Sequence, residues 1–178
     1  HIRNAAYKLA DYADQFVFGK YADAGKTITD FQSNFTSADA LALLAAASKE
    51  MLKANVPEGE TKYLEISPDV YAKLVLAKIV TDTDNSKTLE TGFVKKLWGL
   101  DIYVSNNIHS DNDGVHYCLV RTKRAIAYAE QLNQSEVIRH PKRFGDIHRG
   151  LMLCGAKVVV PKELICIPVK PVAESSGT

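Results

Sequence analysis

The sequence predicts an α+β fold, and three of its segments carry the prediction. Between Ile2 and Ala24, apolar residues recur at three- and four-residue steps, which indicates a long amphipathic helix about 35 Å in length. Between Thr91 and Asn107, two short apolar runs meet at Trp98-Gly99, which indicates a hairpin. From Ile147 to Val160 the residues read as two alternating sets, which is typical of a long strand.

The remaining elements are shorter, and each has its own boundary signals. Thr36 or Ser37 can cap a helix, and Ser67-Pro68-Asp69 supplies a cap, a first-turn proline and an acid for another. The polar segment 81–88 is expected to be a loop. The predicted elements, in order, are a helix Ala38–Lys53, a strand Tyr63–Ile66, a helix from Ser67, strands Phe93–Leu97, Leu100–Val104 and Val115–Val120, a short helix Ala125–Leu132, and a last strand Leu164–Val169.

The hairpin is the segment around which we expect the fold to be organised. Gly92 and Gly99 are interpreted as backbone devices that let the two strands turn. Trp98 is the only tryptophan, and we expect it to be buried beside that turn.

Composition limits the classes of function. The chain has 178 residues, a formal net charge of +1 and 24% charged residues, which favours neither a strongly basic nucleic-acid binder nor an acidic tail. Cys118, Cys154 and Cys166 are widely spaced and odd in number, so we expect reduced thiols used for packing. No apolar run is long enough for a membrane span, and no signal-peptide pattern opens the chain.

Motifs for catalysis and cofactor binding are missing from the sequence. It contains no nucleophile elbow, phosphate loop or dinucleotide fingerprint, so we predict no catalytic residues, no cofactor and no enzymatic activity. Asp82 and Asp84 lack the glycine and final glutamate of a calcium loop, and no metal site is predicted. His140, Asp146 and His148 leave one alternative open, a ligand-binding or hydrolytic α+β domain, although their spacing matches no tetrahedral metal site.

Basic residues are concentrated in two places. One group is Arg121, Lys123 and Arg124, and the other is Arg139, Lys142, Arg143 and Arg149. Nucleic-acid contact is one interpretation, which would give a steep salt dependence of affinity. A solvated face or salt bridges to a neighbouring subunit is the interpretation that we adopt.

The order of these features resembles that of tailed-bacteriophage major capsid proteins, which have the Hong Kong 97-type shell fold. The first helix resembles the long spine helix of that family's peripheral domain, and the hairpin resembles a run of glycine, strand, glycine and strand ending in a small polar pair. The other motifs are Val56-Pro57 with Gly59, Ser67-Pro68 with Tyr71, Phe144-Gly145-Asp146-Ile147, Arg149-Gly150, Cys154-Gly155-Ala156-Lys157-Val158 and Pro161-Lys162-Glu163-Leu164.

The resemblance implies a division of the chain. Residues 1–35 would be the spine helix and linker of the peripheral domain, residues 36–140 the axial domain with a central sheet flanked by helices, and residues 141–172 the return into the peripheral β strands. Residues 173–178 are expected to form a disordered tail. The family's N-terminal arm and extended loop have no counterpart here, so the sequence is interpreted as a fragment.

The resemblance also implies a function, that of a structural subunit of an icosahedral shell that encloses a phage or prophage genome. Expected partners are copies of the chain in hexamers and pentamers, scaffolding and portal proteins, and packaged DNA contacted without sequence specificity, with no membrane. The expected location is the virion, after assembly in the bacterial host cytoplasm. Arg139, Lys142, Arg143 and Arg149 are the expected subunit contacts. An encapsulin-type compartment shell has the same fold and remains the alternative.

Overall fold

The computed structural model of the protein describes residues 2–57, 59–77, 93–141 and 144–173. The predicted loop 81–88, Gly92, Lys142, Arg143 and the tail beyond residue 173 lie outside these ranges. The helices are α1 (Ile2–Phe18), α2 (Ala40–Lys53) and α3 (Pro68–Leu76). The strands are β1 (Lys26–Thr27), β2 (Lys62–Ile66), β3 (Phe93–Leu97), β4 (Leu100–Val104), β5 (His116–Thr122), β6 (Ile126–Arg139), β7 (Asp146–Val158) and β8 (Leu164–Val169).

A mixed six-stranded sheet, in the order β1-β8-β5-β2-β4-β3, forms the centre of the molecule. Strand β2 runs parallel to β4 and antiparallel to β5, and β5 runs antiparallel to β8. Helices α2 and α3 cover one face, where Leu43, Leu74 and Ile102 are fully buried. Strand residues alternate between the two packed faces of the sheet. This arrangement of a sheet with helices packed on it confirms the predicted α+β class.

Helix α3 begins where the sequence predicts, and α2 begins at Ala40 rather than Ala38, after a 3-10 turn. Thr36, rather than Ser37, caps the 3-10 turn that leads into α2, because its backbone N–H and hydroxyl both donate to Asp39 Oδ2, at 3.0 and 2.8 Å. At α3, Ser67 Oγ accepts from the Val70 backbone N–H at 3.4 Å, and Pro68 is the first helical residue. Local capping chemistry therefore fixes both helix starts.

The hairpin β3–β4 has the predicted bounds, but the burial expected of Trp98 was wrong. Trp98 and Gly99 have φ values of 49° and 77°, which is the backbone of a two-residue turn that matches the twist of paired strands. The Trp98 side chain is 53% exposed, because the space beneath the hairpin is already filled by Leu100 and Ile102. The Ser48 hydroxyl donates to the Trp98 carbonyl at 3.5 Å and links the turn to α2.

The predicted helix Ala125–Leu132 was also wrong, since these residues begin β6. Strand β6 pairs antiparallel with β7 along its whole length, with a register shift between Leu132 and Gln134. We call these two strands the ribbon. Pairing with β7, a strand of 13 residues, overrides the local helical preference of this segment. Strand β7 also confirms the predicted long strand from Ile147.

The first helix is shorter than predicted. Helix α1 ends at Phe18, about 25 Å from its start, and a 3-10 turn continues to Asp23. Gly25 then approaches the main chain near Pro161 so closely that its N–H donates to the Pro161 and Leu164 carbonyls at 3.0 and 3.1 Å. A Cβ at this position would lie 2.3 Å from the Pro161 oxygen. Gly25 therefore allows a close backbone contact just after the helical segment, whose C-cap is Ala24.

A second, smaller core lies on the opposite face of the sheet from α2 and α3. Leu119, Leu164 and Cys166 are buried there, and the end of α1 and the base of the ribbon pack against them. Tyr21, in the 3-10 turn, stacks on Tyr117 with ring centroids 4.3 Å apart. This second core attaches the helix and the ribbon to the sheet.

A buried carboxylate fixes the start of the ribbon. Glu163, which is 4% exposed, accepts hydrogen bonds from the Thr122 hydroxyl at 2.5 Å and from the Arg124 guanidinium, whose Nε lies 3.0 Å from Oε2. The Arg124 hydrogen bond, together with the one from Thr122, lowers the pKa of Glu163, although burial acts in the opposite direction. We call this set of contacts the junction.

Cysteine placement agrees with the prediction of packing thiols. All three cysteines are free, and Cys118 and Cys166 are buried in the sheet. Burial raises the pKa of the Cys118 thiol to about 12 and that of Cys166 to about 11. In the residues that the structure describes, no helix has the length and apolarity needed to cross a membrane.

We expect Gly25→Ala to lower the free energy of unfolding by about 2 kcal/mol or more, because the added methyl group meets backbone atoms that cannot move aside. The measurement is urea unfolding. The matched control is Gly19→Ala, where nothing lies within 4 Å of the new Cβ and a gain of about 0.4–1 kcal/mol is expected. Equal effects of the two substitutions would contradict the proposed close approach.

We expect Glu163→Gln to cost about 2 kcal/mol at pH 7, because a charge-assisted hydrogen bond in a buried site is lost. The folded-state pKa of Glu163 is depressed, so its contribution is present above the ordinary glutamate pKa and disappears as the pH falls through the folded value. The free energies of unfolding of the parent and the variant should therefore converge as the pH falls from the ordinary glutamate pKa through the depressed pKa of Glu163. Glu136→Gln, in an exposed ion pair, is the control and should have little effect. Parallel pH profiles for the parent and Glu163→Gln would refute the role of the carboxylate.

Candidate functional site

The structure places the described members of the predicted contact group on the ribbon. Arg149 lies opposite Glu136 in the register, and its Nη2 and Nε are 2.7 and 2.9 Å from Glu136 Oε2. Both side chains are exposed, so the pair contributes less than about 1 kcal/mol to stability. Arg139 is exposed at the end of β6. Lys142 and Arg143 are outside the described residues.

The tip of the ribbon carries an exposed aromatic residue, Phe144, that the sequence analysis did not select as a subunit contact. The His140 N–H donates to the Gly145 carbonyl at 2.9 Å and closes the tip. Phe144, beside it, is fully exposed. A large aromatic residue inside a charged segment was the available signal.

One face of the ribbon is exposed along β7. Ile147, Leu151 and Leu153 point to this face, with more than two fifths of each side chain exposed, and Arg149 lies between them. On the other face, Ala156 and Val158 pack against the end of α1 in the second core. At its base the ribbon therefore packs one face against its own chain, and the face that carries Ile147, Leu151 and Leu153 is apolar and open. We call the latter the open ribbon face.

Helix α1 also leaves apolar side chains exposed. Tyr7 and Tyr12 are more than 60% exposed and Leu9 is 39% exposed, whereas Ala13 is buried. An amphipathic helix in a stable protein normally buries its apolar side. The described part of the chain covers only the C-terminal end of this helix, through Val17 and Phe18.

A groove of about 700 Å³ separates α1 from the sheet. On its sheet side, Arg121 Nη2 and Nε donate to Glu65 Oε1 and Oε2 at 2.5 and 3.0 Å. On its helix side, burial raises the pKa of Asp14. The Tyr128 hydroxyl donates to Glu130 at 2.9 Å, which raises the pKa of Tyr128 to about 12. These charged groups are largely engaged with one another, which suits packing better than nucleophilic catalysis.

The other basic group is used within the chain. Arg121 pairs with Glu65, and Arg124 pairs with Glu163 at the junction. Lys123 is exposed. Two of the three residues therefore form salt bridges within the subunit. The predicted salt bridges to a neighbouring subunit stay a prediction.

The alternative based on two histidines and an aspartate stays a prediction. His140 lies at the ribbon tip, and Asp146 follows the tip at the start of β7. The side chains of Asp146 and His148 are outside what the structure describes. Among the side chains that it does describe, no group of three or more metal-ligating residues is found.

Comparison with known proteins identifies the fold. The chain matches no family model and no curated protein. Over 93% of its length it matches a solved structure from Mycobacterium phage Che8, with 29% sequence identity and a TM-score of 0.75. It matches the capsid structure of the cyanophage P-SCSP1u over 93% of its length, with 24% identity and a TM-score of 0.63.

The likeness extends to compartment shells. The holo-SrpI encapsulin complex from Synechococcus elongatus PCC 7942 matches over 82% of this chain and 54% of its own, with 13% identity and a TM-score of 0.51. The chain spans 61% of the Che8 structure and 63% of the cyanophage structure. The strand order and the flanking helices of this chain are consistent with these similarities. The chain has the Hong Kong 97-type fold of tailed-phage major capsid proteins.

Proposed function

We propose that the chain is a structural subunit of an icosahedral phage or prophage capsid that encloses the genome. The observation that carries this proposal is the set of exposed apolar side chains on α1 and on the open ribbon face, in a chain whose central sheet is otherwise well packed. Repeated contacts between different patches on copies of one chain produce closed shells. The likeness to phage structures supports the same function.

We further propose the domain division that the sequence predicts. Residues 1–35 and 141–172 would form the peripheral domain, and residues 36–140 the axial domain. The proposed boundary at residue 140 falls at the ribbon tip, because β6 ends at Arg139. The core beneath α2 and α3 is shared with both outer ranges, because Phe35 and Ile165 belong to it and β8 lies inside the six-stranded sheet. The proposed division therefore rests on the family resemblance.

The proposed partners are copies of the chain in hexamers and pentamers, scaffolding and portal proteins, and DNA held without sequence-specific contact. The proposed location is the virion, after assembly in the host cytoplasm. The role is structural and non-enzymatic. The fold match to capsid structures supports these points.

The encapsulin similarity supports a second candidate, a subunit of a protein-loaded compartment. Electron microscopy of the full-length product, with the nucleic-acid content of purified particles, tests both candidates. Icosahedral particles that contain DNA are expected. Particles that enclose protein without DNA would favour the compartment, and the absence of particles would contradict both.

Charge reversal of Arg143 in the full-length protein is expected to lower the shell yield strongly and to leave the subunit folded. The reason is that Arg139, Lys142 and Arg143 concentrate positive charge in one short stretch of the sequence, where a reversed charge would repel its partner. Particle yield is measured by sedimentation, and folding by circular dichroism. Lys123→Glu, at an exposed site outside the ribbon, is the control. An unchanged yield for Arg143→Glu would contradict the contact.

Replacing Leu151 and Leu153 together by Asp is expected to abolish assembly, because charge would replace the apolar part of the open ribbon face. Both side chains are exposed, so the cost to subunit stability should be about 1 kcal/mol or less. The matched control replaces both by Val, which keeps an apolar strand surface. Normal particles from the Asp variant would show that this face is not a contact.

A further inference from the structure

Three separate segments bring lysines to one pocket. Lys26 is on β1, Lys53 is in the last turn of α2, and Lys162 is in the short turn that precedes β8. Together they line a pocket of about 400 Å³, with Glu50 between them. A smaller pocket of about 180 Å³ shares Lys26 and Glu50 and adds Lys49. We call these two pockets the lysine pocket.

The positive charge of the lysine pocket is only partly balanced. Glu50, which is 7% exposed, contacts Lys26, and its Oε1 lies 3.2 Å from Lys53 Nζ and 3.8 Å from Lys49 Nζ. The hydrogen bond from Lys26 is the main cause of a lowered Glu50 pKa, so the carboxylate is ionised at neutral pH. Asp30 lines the smaller pocket. The ammonium groups of the four lysines therefore face only two carboxylates, those of Glu50 and Asp30. The partial negative charge at the C-terminus of α2 balances only about half of one further positive charge.

The chemistry of the lining selects the class of ligand. Lys26, Lys49 and Lys53 are each at least half exposed, so their ammonium groups are available as point charges. The lining of the two pockets includes no aromatic side chain on which a base could stack. Such a site suits phosphate oxygens and has no means of reading base edges.

We propose that the lysine pocket binds backbone phosphates of the packaged nucleic acid without reading its sequence. This inference rests on the proposed capsid function, which brings nucleic acid into contact with the subunit. It assigns that contact to residues outside the ribbon and outside the basic groups that the sequence analysis selected. The near-neutral net charge of the chain is compatible with it, because the positive charge is concentrated locally.

The test measures the affinity of the unassembled full-length subunit for two short DNA duplexes of different sequence, between about 50 and 200 mM salt. The dependence of log K on log salt should weaken by about 2–3 when Lys26, Lys53 and Lys162 are all replaced by Gln, since each phosphate contact contributes about 0.9. The charge-matched control replaces Lys8, Lys123 and Lys157, which are exposed and outside both pockets, and should keep the parental slope.

Two further variants keep the test valid if the triple substitution disturbs folding. Lys162 has no carboxylate partner in the described part of the chain, so Lys162→Gln should lower the slope by about 0.9 without loss of stability. Glu50→Gln removes a negative charge and should tighten DNA binding a few-fold. Opposite effects of these two variants support the proposal.

Other outcomes overturn it. Equal slopes for the parent and the Lys162 variant would show that DNA does not use the pocket. A triple variant that retains its DNA slope but loses particles would assign the pocket to an acidic segment of a neighbouring copy. A difference of more than about tenfold between the two duplexes would contradict sequence-independent binding. Failure of the parent to form particles would count against the capsid function, which is a separate measurement.

Discussion

The direction in which the ribbon leaves the sheet depends on one buried carboxylate. Glu163 holds Thr122, the last residue of β5, and Arg124, in the turn that leads into β6. Close by, the Gly25 N–H donates to the carbonyls of Pro161 and Leu164, which flank Glu163 in the sequence. The helical segment, the ribbon and the return into β8 thus meet at one place. An ionised carboxylate in such a place is stable only while its donors are present, so hydrogen bonding, more than apolar packing, defines the geometry.

The molecule consists of a well-packed centre with two elements that extend from it. The sheet and its covering helices bury their apolar side chains against one another, whereas α1 and the ribbon expose tyrosines, leucines and Phe144. A monomer with this distribution would carry an unfavourable surface. In a shell, the same surface becomes the contact between copies, because extended elements reach beyond the subunit's own core. The structure is therefore easier to understand as part of an assembly than as a free domain.

The sequence predicts what local chemistry decides. The hairpin bounds followed from strand residues around Trp98-Gly99, and both helix starts followed from capping residues. The segment Ala125–Leu132 was mispredicted as a helix because its strand partners are distant in sequence: Ile126 pairs with Val158, 32 residues on, and Leu132 with Met152, 20 residues on, beyond the reach of local preference. Burial of Trp98 depends on what already fills the space beneath the hairpin. Arg149 was selected from its charge, but its partner Glu136 is opposite only once the register shift in β6 is known. The lysine pocket, assembled from three segments, has no local sequence signal.

If the chain forms the proposed shell, its two buried thiols have a consequence for that particle outside the cell. A thiol with a pKa near 12, such as that of Cys118, is ionised in only about one molecule in 10⁵ at pH 7, and the thiolate is the form that oxidants attack. Because Cys118 and Cys166 also lie in the interior of the sheet, oxidants reach them only when the sheet opens. A shell released from a reducing cytoplasm into aerated water would therefore keep these positions chemically unchanged for as long as its subunits stay folded.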